Sequence, residues 1–242
     1  TSRLRAIRFV IKAMDRLRMP LTNAPLADST VRYTVAPLTS DDAQSLYELR
    51  RRCYVQSKEF EWLDFDTVRW GGSDQDALVL GVHTVEGELV ATNRGRIGAS
   101  RAACEACLEY SLADAPLRYP ALFCDRTCTA SDHAREGLTA LTRRCFLEVA
   151  QASGLQAVMG VVYGGAPRVR SMLSIGYESY PCHAHWDSEA CPSATPLVVQ
   201  MPASRFTRAI QNIEREGTEL LRHCVIDFPA IRAAASRMPV IA

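Results

Sequence analysis

Lysine is nearly missing from this sequence. Of its 28 basic residues only Lys12 and Lys58 are lysines, and 27 acidic residues leave a formal net charge of +1. A balance so close to zero excludes the basic excess of a dedicated nucleic-acid binder, and no nucleic-acid partner is expected. Long apolar runs are also lacking: none approaches the ~20 residues that a bilayer-spanning helix requires. No secretory leader pattern opens the sequence, so the nine cysteines are not expected to form a secreted disulfide scaffold. The expectation is of reduced, mostly buried thiols in a cytoplasmic protein. Internal repeats and low-complexity stretches are absent as well.

What remains is a globular composition. The chain has 242 residues, 48% hydrophobic and 23% charged, enough to bury one substantial core. Residues 1–18 put Leu4, Ile7, Ile11, Met14 and Leu17 on one helical face and load the remainder with arginine and Lys12. The spacing predicts an amphipathic helix packed on its own domain. Contact of this basic helix with an anionic membrane surface, at the inner face of a membrane, is the alternative. Pro20 and Asn23-Ala24-Pro25 then break the chain, so residues 1–30 read as a helix and linker.

Residues 31–38 alternate and read as a strand. Thr39-Ser40-Asp41-Asp42 starts a helix over 41–54, with Ala43, Leu46, Leu49 and Cys53 facing inward. Apolar runs at 77–83 and 89–97 flank Glu86-Gly87-Glu88, a hairpin signal. An irregular, partly helical stretch covers 99–118. A strand is predicted at 121–129, a helix at 134–152 and a buried strand at 155–163. A short helix at 167–175, strands at 177–186 and 197–201, and a helix at 204–221 follow. The order is mixed α/β around one central sheet.

That order and its local sequences resemble the GNAT superfamily of acyltransferases. The resemblance covers residues 31–203, with 204–242 as a helical extension. It implies a central mixed, mostly antiparallel sheet flanked by helices, the GNAT-like acyl-CoA N-acyltransferase fold. The segment from Phe123 to Tyr177 carries most of the likeness. It implies that a loop from Asp132 to Thr139 holds the cosubstrate pyrophosphate on backbone N–H groups at a helix start, where free N–H groups and the dipole favour anions. Arg126, Thr127, Arg135, Gly137, Leu138, Thr139 and Arg168 are the implied cosubstrate contacts. The spacing of Arg135-Glu-Gly137 departs from the family's usual loop.

The stretch "LYELRRRCYVQSKEFEWLDFDTVRW" is similar to the acyl-homoserine lactone and N-acyl amino acid synthase branch, and "DQDALVLGVHTVEGELVATNRGRI" to its hairpin. Substrate contacts carried over are Arg52 or Arg51, Tyr54, Trp62, Asp64, Asp66 and Arg94. Arg126 in "CDRTC" matches an arginine of the branch's fourth strand. Where lactone synthases carry a glutamate this chain has Phe123, which favours the amino acid synthase side. Met172 stands where many acetyltransferases have a tyrosine acid, so a proton must come from elsewhere or from water. The implied reaction moves an acyl group, long-chain in this branch, from acyl-carrier protein (acyl-ACP) or acyl-CoA to a small-molecule amine, with no permanently bound cofactor.

Thioester aminolysis needs a base for the amine and donors for the carbonyl oxygen. Candidate bases are Asp125, His133 and Glu59. Tyr163 ends the predicted central strand, where open α/β sheets place ligands. Phe60, Trp62, Phe65 and Trp70 could line an acyl channel or pack a core. An acidic carrier protein could dock on the first helix and on Arg143-Arg144. Cys104, Cys107, Cys124 and Cys128, and separately Cys182, His183, His185 and Cys191, loosely resemble zinc patterns, although core packing explains them and no metal is expected. A nucleophilic Cys124 is a further alternative. Three other functions stay open: a CoA-dependent acetyltransferase for a small amine, a non-catalytic module of the same shape, and, more weakly, a zinc-stabilised interaction protein.

Overall fold

The computed structural model describes residues 30–55, 68–108, 110–112, 115–164, 166–184 and 195–242. The basic segment 1–18 lies outside the described residues, as do Glu59, Phe60, Trp62, Asp64, Phe65, Asp66, His185 and Cys191.

Eleven strands are described: β1 (Tyr33–Pro37), β2 (Leu78–Thr84), β3 (Leu89–Gly98), β4 (Tyr110–Ser111), β5 (Ala121–Thr129), β6 (Ala157–Tyr163), β7 (Glu178–Pro181), β8 (His183–Ala184), β9 (Pro196–Pro202), β10 (Cys224–Ile226) and β11 (Val240–Ile241). The helices are α1 (Ala43–Val55), α2 (Gly72–Gln75), α3 (Arg101–Leu108), α4 (Leu138–Ala152), α5 (Pro167–Ser174), α6 (Phe206–Glu216), α7 (Thr218–Arg222) and α8 (Phe228–Ala235). One sheet runs β10–β1–β2–β3–β5–β6–β9–β7, with β11 beside β3, and β4 pairs with β8 separately. Its pairings are antiparallel except β1/β10, β3/β11 and β5/β6.

The predicted elements form for the reasons the sequence suggests. Thr39 and Asp42 close a capping box ahead of α1, with the Thr39 N–H donating to Asp42 Oδ2 at 2.8 Å. The apolar run of β6 is buried on both sides, between β5 and β9. Helix α4 packs across β2, β3, β5 and β6, and α6 and α8 pack on α4.

Three boundaries differ from expectation. The helix predicted from residue 134 starts at Leu138, because Arg135 (φ 70°) and Gly137 (φ 87°) take left-handed backbone that no right-handed helix includes. The strand predicted over 177–186 breaks after Pro181, and His183–Ala184 pairs with β4 instead. The segment 204–242, expected as helical, also adds β10 and β11 to the sheet.

Strands β5 and β6 pair only from Ala121↔Ala157 to Cys124↔Gly160, and beyond that point they part. Two features cause this. Strand β6 keeps its full pairing with β9. Strand β5 bulges toward β3: Thr92 faces Cys128 and Arg94 faces Asp125, so Arg126 and Thr127 together oppose Asn93. Arg126 takes a left-handed φ of 51°, which costs a residue with a Cβ about 1–2 kcal/mol. At the apex, a Cβ on Gly160 would sit 2.7 Å from the Cys124 carbonyl oxygen, so only glycine permits this approach.

Candidate active site

The parted strands open a cavity of about 300 Å³. Its walls come from Asp125, Arg126 and Thr127 on β5, from Gly160 to Tyr163 on β6, from Thr139 and Arg143 on α4, and from Arg168 and Met172 on α5. Tyr54 from α1 and Tyr110 from β4 also line it.

A ladder of buried charge supports the β5 side. Arg50 is fully buried and donates to Asp74 Oδ1 at 2.8 Å and to the Val68 carbonyl at 3.2 Å. Arg94, 3% exposed, donates through Nε and Nη2 to the two oxygens of Asp125, both at 2.6 Å. Its Nη1 donates to Ser73 Oγ at 2.8 Å and reaches Asp74 Oδ1 at 3.4 Å. Arg96 donates to Asp125 Oδ2 at 2.8 Å and to the Cys107 carbonyl at 2.9 Å. Its guanidinium lies 4.9 Å from the centre of the Phe123 ring, directly across the β3–β5 pairing. Burial works against the charged form of Asp125, but the Arg94 and Arg96 guanidiniums outweigh it and hold the carboxyl below the usual carboxylate range. Asp74 is held down in the same way, mainly by Arg50 against its own burial.

This arrangement corrects several expectations. Asp125, the first candidate base, has both oxygens taken up by guanidiniums and a lowered pKa, which makes it a poor proton acceptor. Arg94, expected to contact substrate, spends its donors on Asp125, Ser73 and Asp74. Arg52 is half-exposed and pairs with Glu88 at 3.3 Å, while Arg51 is exposed. The inward arginine of α1 is Arg50, which stands four residues after Leu46 and four before Tyr54 on the buried stripe. His133 does not line the cavity; its Nδ1 lies 2.9 Å from the Tyr33 hydroxyl and 3.7 Å from Glu136. Tyr33 also donates to Glu136. Arg143 and Arg144 are buried, so they offer no docking face to a carrier protein.

Tyr163 does face the cavity, and its hydroxyl lies 3.3 Å from that of Tyr110. Tyr54 lines the cavity too, and burial pushes its phenol up. Thr127 Oγ1 donates to Asn93 Oδ1 at 2.8 Å, and Thr139 Oγ1 meets Thr129 Oγ1 at 3.1 Å, tying α4 to β5. Leu138 is buried, so it can meet a ligand only through its backbone. No side chain caps the start of α4. Met172 presents an apolar wall. Cys124 lines the cavity, and burial pushes its thiol up, which keeps it protonated and works against a nucleophilic role. Among the described residues no three His, Cys, Asp or Glu side chains converge as a metal set, and the eight described cysteines are all free.

The sheet order, the parted parallel pair and the helix start beside it define the GNAT-type acyltransferase fold. No protein-family model and no curated protein matches the chain in sequence. Solved structures match in shape. The CoA-dependent acyl-homoserine lactone synthase BjaI, solved with MTA, superposes with a TM-score of 0.53 at 14% identity, covering 84% of this chain and 98% of that one. The AHL synthase LasI gives 0.52 at 12% identity, with 76% and 96% covered. The ribosomal-protein-S18-alanine N-acetyltransferase from Escherichia coli gives 0.50 at 12% identity, with 71% and 94% covered. Identities this low carry the fold and leave substrate to be argued from the site. No described helix is long and apolar enough to cross a membrane.

Proposed function

We propose that this chain is an N-acyltransferase that moves an acyl group from an acyl-CoA or acyl-carrier-protein thioester to the amine of an amino acid or similar small molecule. The observation that carries the reading is the parting of β5 and β6 beside the uncapped start of α4. A phosphopantetheine arm is extended and carries amides, and two diverging strand edges offer it backbone N–H and C=O groups. Its phosphate end suits the first N–H groups of α4, where the left-handed Arg135 and Gly137 turn the backbone into the helix. Arg126, Thr127, Thr139 and Arg168 are assigned to the cosubstrate, with Leu138 acting through its N–H. Nothing in this scheme is bound permanently, and the free cysteines suit a reducing, cytoplasmic setting.

In the reaction the amine nitrogen attacks the thioester carbon, the C–N bond forms and the C–S bond breaks. One proton must leave nitrogen and one must reach sulfur. We assign that transfer to the Tyr110–Tyr163 pair acting in concert: as Tyr163 gives its proton to sulfur it takes that of Tyr110, and Tyr110 takes one from nitrogen, restoring both tyrosines. Asp125 is then a positioning residue: it holds Arg94 and Arg96 and fixes the strand next to the bulge. Tyr54 faces the acceptor.

The test incubates the full chain with acyl-CoA or acyl-carrier protein and the common amino acids. The expected result is thiol release that depends on the amine, matched one for one by N-acyl product in the mass spectrum. Absence of amine-dependent thiol release from either donor overturns the reading.

A further inference from the structure

The acyl-transfer reading leaves one part of the cavity unexplained. Around the Cys124↔Gly160 apex, on the side of α4 and α5, the walls include Val158, Val162, Met172 and Val199. Into this apolar space projects Arg143, from one turn after Thr139 on α4. It is 8% exposed, and its guanidinium makes no hydrogen bond and no ion pair among the described residues. Its guanidinium faces the ring of Tyr177, 5.9 Å from the ring centre. Tyr177 is 5% exposed and lines the same space, and its hydroxyl also has no hydrogen-bond partner among the described residues. Burial pushes the phenol up, so it remains a donor across the working pH range.

A guanidinium stays charged at any physiological pH, and the Arg143 nitrogens keep access to the cavity, where a ligand can reach them. Two unspent donors with apolar walls call for an anionic acceptor that arrives with the ligand. A carboxylate fits a guanidinium fork on two parallel bonds and takes a third from a phenol. An acyl group that runs from a thioester between β5 and β6 into this part of the cavity would meet these two residues on its wall. An uncharged long alkyl chain would instead bury its methyl end against the cation.

We propose that Arg143 and Tyr177 bind a carboxylate at the far end of the acyl group, so that the donor is a thioester of a dicarboxylic acid. This rests on the acyl-transfer reading. The transfer itself is unchanged: the C–S bond breaks, the C–N bond forms, and the distal carboxylate takes no part.

The test is calorimetric binding of CoA, pentanoyl-CoA and glutaryl-CoA to the full chain with no amine present, and, in a separate titration, of a free amino acid. The wild type is expected to bind glutaryl-CoA roughly ten- to a hundred-fold tighter than pentanoyl-CoA, the range for charge-assisted hydrogen bonds. Arg143→Met should erase that preference, and its binding of CoA, which has no acyl group, reports that the variant is folded. Tyr177→Phe should reduce the preference by about two- to ten-fold, and it serves if Arg143→Met does not fold. Equal wild-type affinity for the two thioesters overturns the assignment, as does a preference that survives Arg143→Met. If Arg143→Met weakens binding of a free amino acid and leaves thioester choice alone, the carboxylate belongs to the acceptor and the assignment is overturned. If the wild type binds no CoA compound at all, the acyl-transfer reading falls and takes this inference with it.

Discussion

Replacing Asp125 with asparagine separates a strut from a base. In the folded chain the carboxylate accepts bonds of 2.6, 2.6 and 2.8 Å from Arg94 and Arg96. Asp125→Asn would keep the side-chain shape and remove the charge, leaving Arg94 with Ser73 at 2.8 Å and Asp74 at 3.4 Å, and Arg96 with the Cys107 carbonyl. Breaking one side of a buried pair costs roughly 3–5 kcal/mol. An asparagine oxygen still accepts one bond, and the Asp125 side chain is 19% exposed, so about 2–4 kcal/mol is expected here. For a chain of this size each kcal/mol lowers Tm by about 2–4 °C, so the melt should fall by about 4–16 °C at pH 7. Arg94→Met alone should cost a similar amount, and the double variant should cost clearly less than the two singles added. The sign with pH follows from linkage. Asp125 and Asp74 have folded pKa values below the unfolded value of about 3.9, so their stabilisation is complete above that pH. It fades as pH falls from there toward the folded values, and Asp125→Asn should flatten part of that acid loss. An unchanged melt together with a rate reduced a hundred-fold or more would refute this account and restore Asp125 as the base.

Three further outcomes are expected. Gly160→Ala would place a methyl 2.7 Å from the Cys124 carbonyl, so the strands must move apart at the apex; urea unfolding should show a loss of about 1–3 kcal/mol. Tyr163→Phe should lower kcat by about a hundred-fold or more while donor Kd stays within a small factor, the pattern of a lost proton carrier. Glu148 is buried beside Arg144, 3.1 Å away, and burial pushes its carboxyl up to about 7. Its folded pKa exceeds the unfolded value of about 4.3, so the folded state binds the extra proton and stability falls as pH rises from there through 7. Glu148→Gln should therefore narrow the stability gap between pH 5 and pH 8 by roughly 1–3 kcal/mol, read from urea midpoints.

The strands that frame the cleft were legible in the sequence, because hairpin spacing and the apolar run of β6 are local signals. Arg50 was legible in principle: Leu46, Leu49, Arg50, Cys53 and Tyr54 share a helical stripe, and only the habit of treating arginine as solvated hides it. The same habit hid Arg143, which reads as a surface cation on an amphipathic helix yet lies on the face that meets the cavity. The bulge at Arg126 has no local signature. Its left-handed φ follows from strand β5 having to keep register with β3 on both sides of Asn93, which is a long-range condition. Tyr110 belongs to a two-residue strand whose partner lies at His183–Ala184, far beyond any pattern window. Strands β10 and β11 escape a local reading in the same way: each is two or three residues long and is held by a distant strand, β10 by β1 at the sheet edge and β11 by the end of β3.

The central claim is that a phosphopantetheine arm occupies the gap between β5 and β6, with its phosphates at the start of α4. Amide hydrogen exchange of the full chain, with and without saturating acetyl-CoA, tests it most directly. The account predicts one bound equivalent and slowed exchange at residues 126–129 and 138–140. Binding that protects other amides and leaves these unchanged, or no binding, would contradict it.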